Sequence, residues 1–529
     1  MKKNLIFAHP FLFSIYPVLF LYSKNFKEYR ETSIVVPLLF SLIFGTIVFL
    51  ICKFIFKKIE EAAIVSSFVI FASLSFGRIL DLIGLKDITI GSITIDEQLT
   101  FTLILLIILF GIIKLVRKYE KNLRPINEYL VFLSLFLLIL PLYSIISFEA
   151  KTGRIFQPQQ KEAVRQTKKA TADKNLPDVY YFIFDRYAGP KSLSTEYNVD
   201  NSKFFDFLKD KGFYVASQAS TNYPKTFLSV GSSLNMEYLD FLTTETKGGH
   251  SEDQSLVTPL IRNNKVLNYL KDKGYYTVNI GPKTWTPTSI NPYADKNYVM
   301  TEGTYPLVDP FGTGFLNMTI AEPIFKRVFH NPLDVSVDPN NNEHRRVETY
   351  ELGAIEDAIK LPGPKFVFMH ILLPHDPFVW NANCQPIAET EVDKHDSVTN
   401  YMNQLKCANT KIEKIMSDII AHNKNSIIIA QSDEGPFPMK TPIDENESWG
   451  KASVDSYHEK FPILNAYYFP GKDAETSGLY QTITPVNSFR VLFNTYFGEN
   501  YPLLPDRNYV FYDNKNYYKF TDVTDQLNK

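Results

Sequence analysis

The sequence has little cysteine, no excess of either charge and no internal repetition, and each shortage removes a class of explanation. Lys and Arg number 55 against 57 Asp and Glu, leaving a net charge of -2. That balance gives no reason to expect nucleic acid or a strongly charged partner. No stretch repeats and none is of low complexity, which argues against a solenoid or an array. The three cysteines are Cys52, Cys384 and Cys407. Cys52 lies in an apolar run and reads as a small buried hydrophobe. Cys384 and Cys407 lie in the polar part of the chain. They can pair if that part occupies an oxidising compartment, or stay as two free thiols.

What is present divides sharply. The mean hydropathy of -0.11 averages two unlike parts. Residues 1–149 are strongly apolar, and 178–529 have ordinary soluble composition. Five apolar segments, 5–22, 33–54, 62–80, 97–117 and 127–148, read as long enough to cross a bilayer, which takes roughly 20 residues of helix. His9, Pro10 and Pro17 interrupt the first. A cleaved signal peptide is the competing reading of that segment, but it lacks a clear small-residue cleavage site.

Basic residues set the expected orientation. Lys2 and Lys3 precede the first segment, Lys53, Lys57 and Lys58 follow the second, and Arg117, Lys118, Lys121 and Arg124 follow the fourth. The loop 81–96 carries Asp81, Asp87 and Asp96 against Lys86. Lys24, Lys27 and Arg30 dissent mildly. Five crossings then put residue 150 onward outside the cytoplasm of a multi-pass cytoplasmic-membrane protein. Residues 150–177 form a polar linker, with a surface helix expected around 161–165.

From 178 the pattern alternates strand and helix. Apolar runs at 176–185, 275–280, 365–371, 426–430 and 463–469 read as strands, and 202–211, 262–273 and 400–422 as helices. Continuous apolar strands separated by helices imply a largely parallel sheet covered on both faces. Ligands of such sheets gather at the carboxyl ends of the strands. Asp185, the pair His370 and His375, and the pair Asp433 and Glu434 stand at three of those ends. Three strands delivering acids and histidines to one edge is the strongest chemical signal in the chain.

Four segments carry a family resemblance: Asp178-Val-Tyr-Tyr-Phe-Ile-Phe-Asp185, Asn222-Tyr-Pro-Lys-Thr226-Phe-Leu-Ser229, His370-Ile-Leu-Leu-Pro-His375-Asp-Pro, and Gln431-Ser-Asp433-Glu434-Gly435. Together they resemble the alkaline phosphatase–sulfatase superfamily, above all the membrane-anchored branch with lipoteichoic acid synthases and phosphoethanolamine transferases. The resemblance implies an α/β/α sandwich with a largely parallel sheet, placed outside the cytoplasm after five all-α spans. It also implies a Thr226 nucleophile, with Ser229 as fallback, and metal ligands Asp185, Thr226, Asp433 and Glu434. His375 would be catalytic and touch the substrate, with His370, Asn222 and His458 as further substrate contacts. Lys460 is a weaker candidate.

Each residue also has a plain reading: Thr226 as a helix cap, His375 as a satisfied loop histidine, His370 as buried structure. Glu434 stands where the family has His, and Asp185 where many relatives have Glu. An all-oxygen set suits Mg²⁺, Mn²⁺ or Ca²⁺ better than zinc. The Cys/Ser-x-Pro-x-Arg segment of arylsulfatases is missing, since no Cys lies near 222–233 and Tyr223-Pro-Lys is not followed by the required Arg, so their formylglycine chemistry is not expected. The expected reaction is hydrolysis or transfer of phospho-esters, or sulfo-esters, of envelope lipids or glycans at the bilayer. The alternatives are a sulfuric ester hydrolase and a catalytically degenerate domain that binds or assembles envelope components.

Overall fold

The computed structural model describes residues 7–25, 31–90, 93–152, 176–282, 287–300, 310–328, 342–441, 443 and 449–527. The helix expected around 161–165 lies outside them. By contacts the chain forms two compact units, Met1–Ala163 with Glu302–Val337, and Val164–Thr301 with Asp338–Lys529.

The first unit is helical: α1 (His9–Asn25), α2 (Val35–Phe56), α3 (Ile59–Leu74), α4 (Phe76–Ile83), α5 (Glu97–Lys118) and α6 (Arg124–Thr152), with a small antiparallel hairpin of β1 (Ile88–Ile90) and β2 (Ile93–Ile95). Three helices, α2, α5 and the Arg124–Ser147 part of α6, are long and apolar enough to cross a membrane. The pair α3–α4, bent by 72°, makes a fourth if it counts as one span. α1 has 17 residues and contains Pro17. α3 is buried around most of its circumference. A buried polar link ties three helices: His9 Nδ1 lies 2.6 Å from Ser67 Oγ, and Nε2 lies 2.9 Å from Asn127 Oδ1.

The break between α3 and α4 exposes main-chain groups that an apolar setting cannot leave unpaired. A stretch distant in sequence supplies the partners. The Ile320 N–H donates to the Ser73 carbonyl at 2.8 Å, and the Gly77 N–H donates to the Met318 carbonyl at 2.9 Å. Glycine eases the approach, since a Cβ at Gly77 would lie 3.3 Å from Asn317 O and Met318 Cα, a tight contact. Phe311 and Phe315, from the helix Pro310–Asn317, are buried with Phe13, Val18, Tyr22, Ile70 and Leu74. The sequence places 310–328 inside a continuous soluble domain, whereas its contacts belong to the helical unit.

The second unit is built on a seven-stranded sheet of β3 (Val179–Phe184), β4 (Tyr214–Val215), β5 (Tyr276–Ile280), β6 (Lys296–Tyr298), β7 (Lys365–Ile371), β8 (Ile427–Gln431) and β9 (Asn465–Tyr468), in the order β4-β9-β8-β3-β7-β5-β6. All neighbours pair in parallel except at β9, which is antiparallel to both β8 and β4. The expected sheet is therefore present, with its fifth apolar run reversed. Alternate side chains of β3 enter two separate cores. Val179, Tyr181 and Ile183 pack with the helix Thr226–Asn235, and Tyr180, Phe182 and Phe184 pack with the helices Asn342–Lys360 and Ser397–His422. Burial on both faces is why these strands read as unbroken apolar runs.

The amino end of the sheet is pinned by an ion pair. Lys365 Nζ donates to Asp178 Oδ2 at 2.6 Å, and both side chains are buried. Losing one partner strands a charge out of water. Asp178→Ala is expected to cost about 3–5 kcal/mol, read by equilibrium denaturation of the full chain. An unshifted midpoint would refute this assignment.

Candidate metal centre

Register fixes the site. β3 is flanked by β7 and β8, both parallel to it, so all three strands end on the same edge. Ile183 pairs with His370 on one side and Gln431 on the other. Two residues beyond Ile183 is Asp185, and two beyond Gln431 is Asp433, so the two acids leave adjacent strands at the same level. Asp185, His370 and Asp433 are buried, and one ligand atom of each lies within 4.8 Å of the others.

Their unmet bonding shows what the cluster can hold. Asp185 Oδ1, Asp433 Oδ2 and Glu434 Oε2 are buried with no hydrogen-bond partner. A buried carboxylate oxygen without a donor is costly. The two on Asp185 and Asp433 fit a hard divalent cation, which takes oxygen ligands, whereas Glu434, expected as a ligand, is not among the residues whose ligand atoms gather within 4.8 Å. The charges press on one another. Burial, then the charges of Asp185 and Glu434, hold the Asp433 pKa well above the carboxylate range, against a hydrogen bond from Thr226. For Asp185, burial acts in the same direction, but His375, His370 and Arg186 outweigh it and hold its pKa low. His370 lies between Thr288 and Asp185. Its Nδ1 is 2.8 Å from Thr288 Oγ1 and its Nε2 is 3.2 Å from Asp185 Oδ2. It therefore braces an acid of the cluster, a role that sequence alone did not suggest.

Thr226 is the first residue of the ten-residue helix Thr226–Asn235. The flanking cap position belongs to Lys225, which makes no side-chain cap bond. The Thr226 hydroxyl is thus not spent on capping, and it acts on Asp433, lowering its pKa. The positive end of the helix dipole favours negative charge there. Ser229, the fallback, is buried with its Oγ 3.2 Å from Thr221 Oγ1. Thr221 Oγ1 also lies 2.5 Å from the Asp433 carbonyl. Asn222 is fully buried and uses its amide on main chain, accepting from Val486 N–H and donating to Arg507 C=O. It fastens the Thr226 segment from behind.

The loop after β7 brings His375 and Asp376. His375 acts electrostatically on Asp185, and its Nδ1 bonds the Asp376 carbonyl. Burial, then the Arg186 charge, lower the His375 pKa, against Asp185 and Asp376. Arg186 is the main residue that sequence reasoning missed. Its φ of 61° is uncommon for a residue with a side chain. Its guanidinium donates to Asp376 Oδ1 at 2.7 Å and Glu434 Oε1 at 3.4 Å. The available signal was its place immediately after the strand-end acid. Lys460, a weaker candidate, is buried with Nζ 2.8 Å from Glu434 Oε1. Burial lowers its pKa, opposed by Glu434. Glu434 thus turns Oε1 to two cations and keeps Oε2 unpartnered. His458 Nε2 is buried without a partner, and no described contact joins it to the cluster. Cys384 and Cys407, left open by the sequence, form a disulfide.

The family model described as Sulfatase matches residues 177–485, more than half of the chain. None of the curated proteins matches. Among solved structures, the C-terminal periplasmic domain of EptC from Escherichia coli is 13% identical, covering 64% of this chain and 91% of its own, with a TM-score of 0.41. The integral membrane lipooligosaccharide phosphoethanolamine transferase A of Neisseria meningitidis is 12% identical, covering 93% of this chain and 95% of its own, with a TM-score of 0.38. The phosphonate monoester hydrolase of Agrobacterium radiobacter is 12% identical, covering 63% and 80%, with a TM-score of 0.37. At these identities and scores the structural likenesses add nothing to the family match. With its extent, and with strand-end acids gathered on one edge of a largely parallel sheet, the chain belongs to the Sulfatase family.

Proposed function

We propose that the chain is a membrane-anchored, metal-dependent enzyme that transfers or hydrolyses phospho-esters of cell-envelope lipids or glycans, with Thr226 as nucleophile. The observation that carries this reading is the Thr226 hydroxyl. It heads a helix and acts on Asp433, one of three buried acids at this edge with an unpartnered carboxylate oxygen. With no cysteine near Thr226, a phosphoryl target is favoured over formylglycine-type sulfate chemistry.

Asp185, Asp433, Glu434 and Thr226 would hold the cation, with His370 bracing Asp185. Such an ion, Mg²⁺, Mn²⁺ or Ca²⁺ in preference to zinc, lowers the pKa of the Thr hydroxyl and offsets charge on the phosphoryl oxygens. In the first step Thr226 Oγ1 passes its proton to Asp433 and bonds to phosphorus. The bond from phosphorus to the leaving oxygen breaks, and that oxygen takes a proton from the His375 imidazolium. In the second step water or an acceptor hydroxyl attacks the phospho-threonine and gives its proton to His375. The phosphorus–Oγ1 bond breaks, and Oγ1 recovers its proton from Asp433. His458 is held as a contact for the rest of the substrate.

Placement follows the same reading. Three helices, or four with the bent pair, are long enough to cross; if α1 is a fifth crossing, the basic loops favour the second unit lying outside the cytoplasm. The Cys384–Cys407 disulfide suits that oxidising side. A lipid-linked substrate would reach the site from the bilayer.

Two outcomes test the proposal. Thr226→Ala should lower turnover by about a thousandfold or more while Thr226→Ser keeps part of it, since the nucleophile defines the step. Turnover surviving in Thr226→Ala would leave the degenerate, binding-only alternative. In EDTA, Asp433→Asn should unfold at a higher temperature than the wild type at alkaline pH, because it removes a buried carboxyl that is costly to ionise beside Asp185 and Glu434. With saturating Mn²⁺ the order should reverse, because binding stabilises only the protein that keeps the ligand. Thermal unfolding reads both, and an unchanged order on adding metal would rule out a cation at this edge.

A further inference from the structure

We propose that Gln404 is a positioning residue that sets the loop carrying His375 and Asp376, an inference resting on the catalytic reading above. Gln404 lies on the helix Ser397–His422 and is fully buried. Its Oε1 accepts from Val379 N–H at 2.7 Å and Trp380 N–H at 3.3 Å. Its Nε2 donates to the His375 carbonyl at 2.7 Å and the Pro374 carbonyl at 3.2 Å. One amide therefore joins both limbs of the loop, donors on one side and acceptors on the other.

Only an amide fits this arrangement. A carboxylate would oppose two carbonyls with an acceptor, and an apolar side chain would leave buried N–H and C=O groups unpaired. The loop has few means of holding itself, because Pro374 and Pro377 have no N–H to give. Its other fastenings are made through side chains. Asp376 is bound to Arg186 at 2.7 Å. Trp380 donates from Nε1 to Glu348 Oε2 at 2.5 Å and lies beneath Lys411, whose Nζ is 3.7 Å from the ring centre. Cys407, one turn beyond Gln404 on the same helix, is bonded to Cys384. Of these, Gln404 alone holds the main chain of His375 itself. Small displacements of a catalytic group are costly, about a hundredfold for roughly 1 Å.

The test uses the full chain in detergent with Mn²⁺ and bis(para-nitrophenyl) phosphate as probe. Gln404→Leu and Gln404→Glu should each lower kcat by roughly 10- to 100-fold, with a smaller change in KM and no loss of bound metal. Introduced into His375→Ala, the same substitution should add little, because it acts through the residue already removed. Gln404→Glu serves if Gln404→Leu does not fold. The inference is overturned if the Gln404 variants turn over normally while Thr226→Ala is inactive, or if their losses multiply in the His375→Ala background. Turnover persisting in Thr226→Ala overturns the catalytic reading instead. Gln404 is then judged by inorganic phosphate affinity, measured by calorimetry with Mn²⁺. That affinity should fall in both variants, and an unchanged value refutes the role.

Discussion

Like charges forced together out of water are the constraint around which the second unit is arranged. Asp185, Asp433 and Glu434 are all buried at the end of one sheet. No apolar core tolerates that without compensation. Some is built in: Arg186 and Lys460 on Glu434, His370 and His375 about Asp185. It is incomplete, since one oxygen of each acid has no partner. The surrounding fold tolerates the remainder because it is strong elsewhere, with two cores back to back and the Lys365–Asp178 pair at the far end of the strands. Strain at a functional edge is thus carried by a scaffold that does not share it.

Much of this was legible in the sequence for a simple reason. Strands buried on both faces are apolar throughout, so an acid at the end of such a run stands out. Asp185 and Asp433 were found that way, and the register that sets them side by side follows from β3 lying between β7 and β8. The strand boundaries fell within three residues of the runs. What stayed hidden depends on distant partners. β9 reads like its neighbours, because reversing a strand does not change its composition. Arg186 looks like any surface arginine until Asp376 and Glu434 arrive from elsewhere in the chain. Asn222 sits in a segment that resembles a nucleophile region, yet its amide is consumed by main chain from the carboxyl-terminal part.

His370 and Glu434 show how charge at this edge is partnered. A glutamate in place of a histidine adds negative charge to the cluster. Glu434 turns one oxygen to Lys460 and Arg186 and leaves the other unpartnered. Histidine enters from a different strand, on β7, where it contacts Asp185.

The stretch 310–328 bears on how the protein can be handled. Its Ile320 and Met318 backbone groups complete a kinked helix more than 200 positions upstream, and its Phe311 and Phe315 fill that helix's surroundings. Expressing residues 178–529 alone would release this stretch from its seat and present two bare phenyl rings and unpaired amides to solvent. Such a fragment would be sticky for reasons unrelated to the catalytic fold. Solubilised preparations of the whole polypeptide, or a fragment with this excursion replaced by a short polar bridge, avoid that liability.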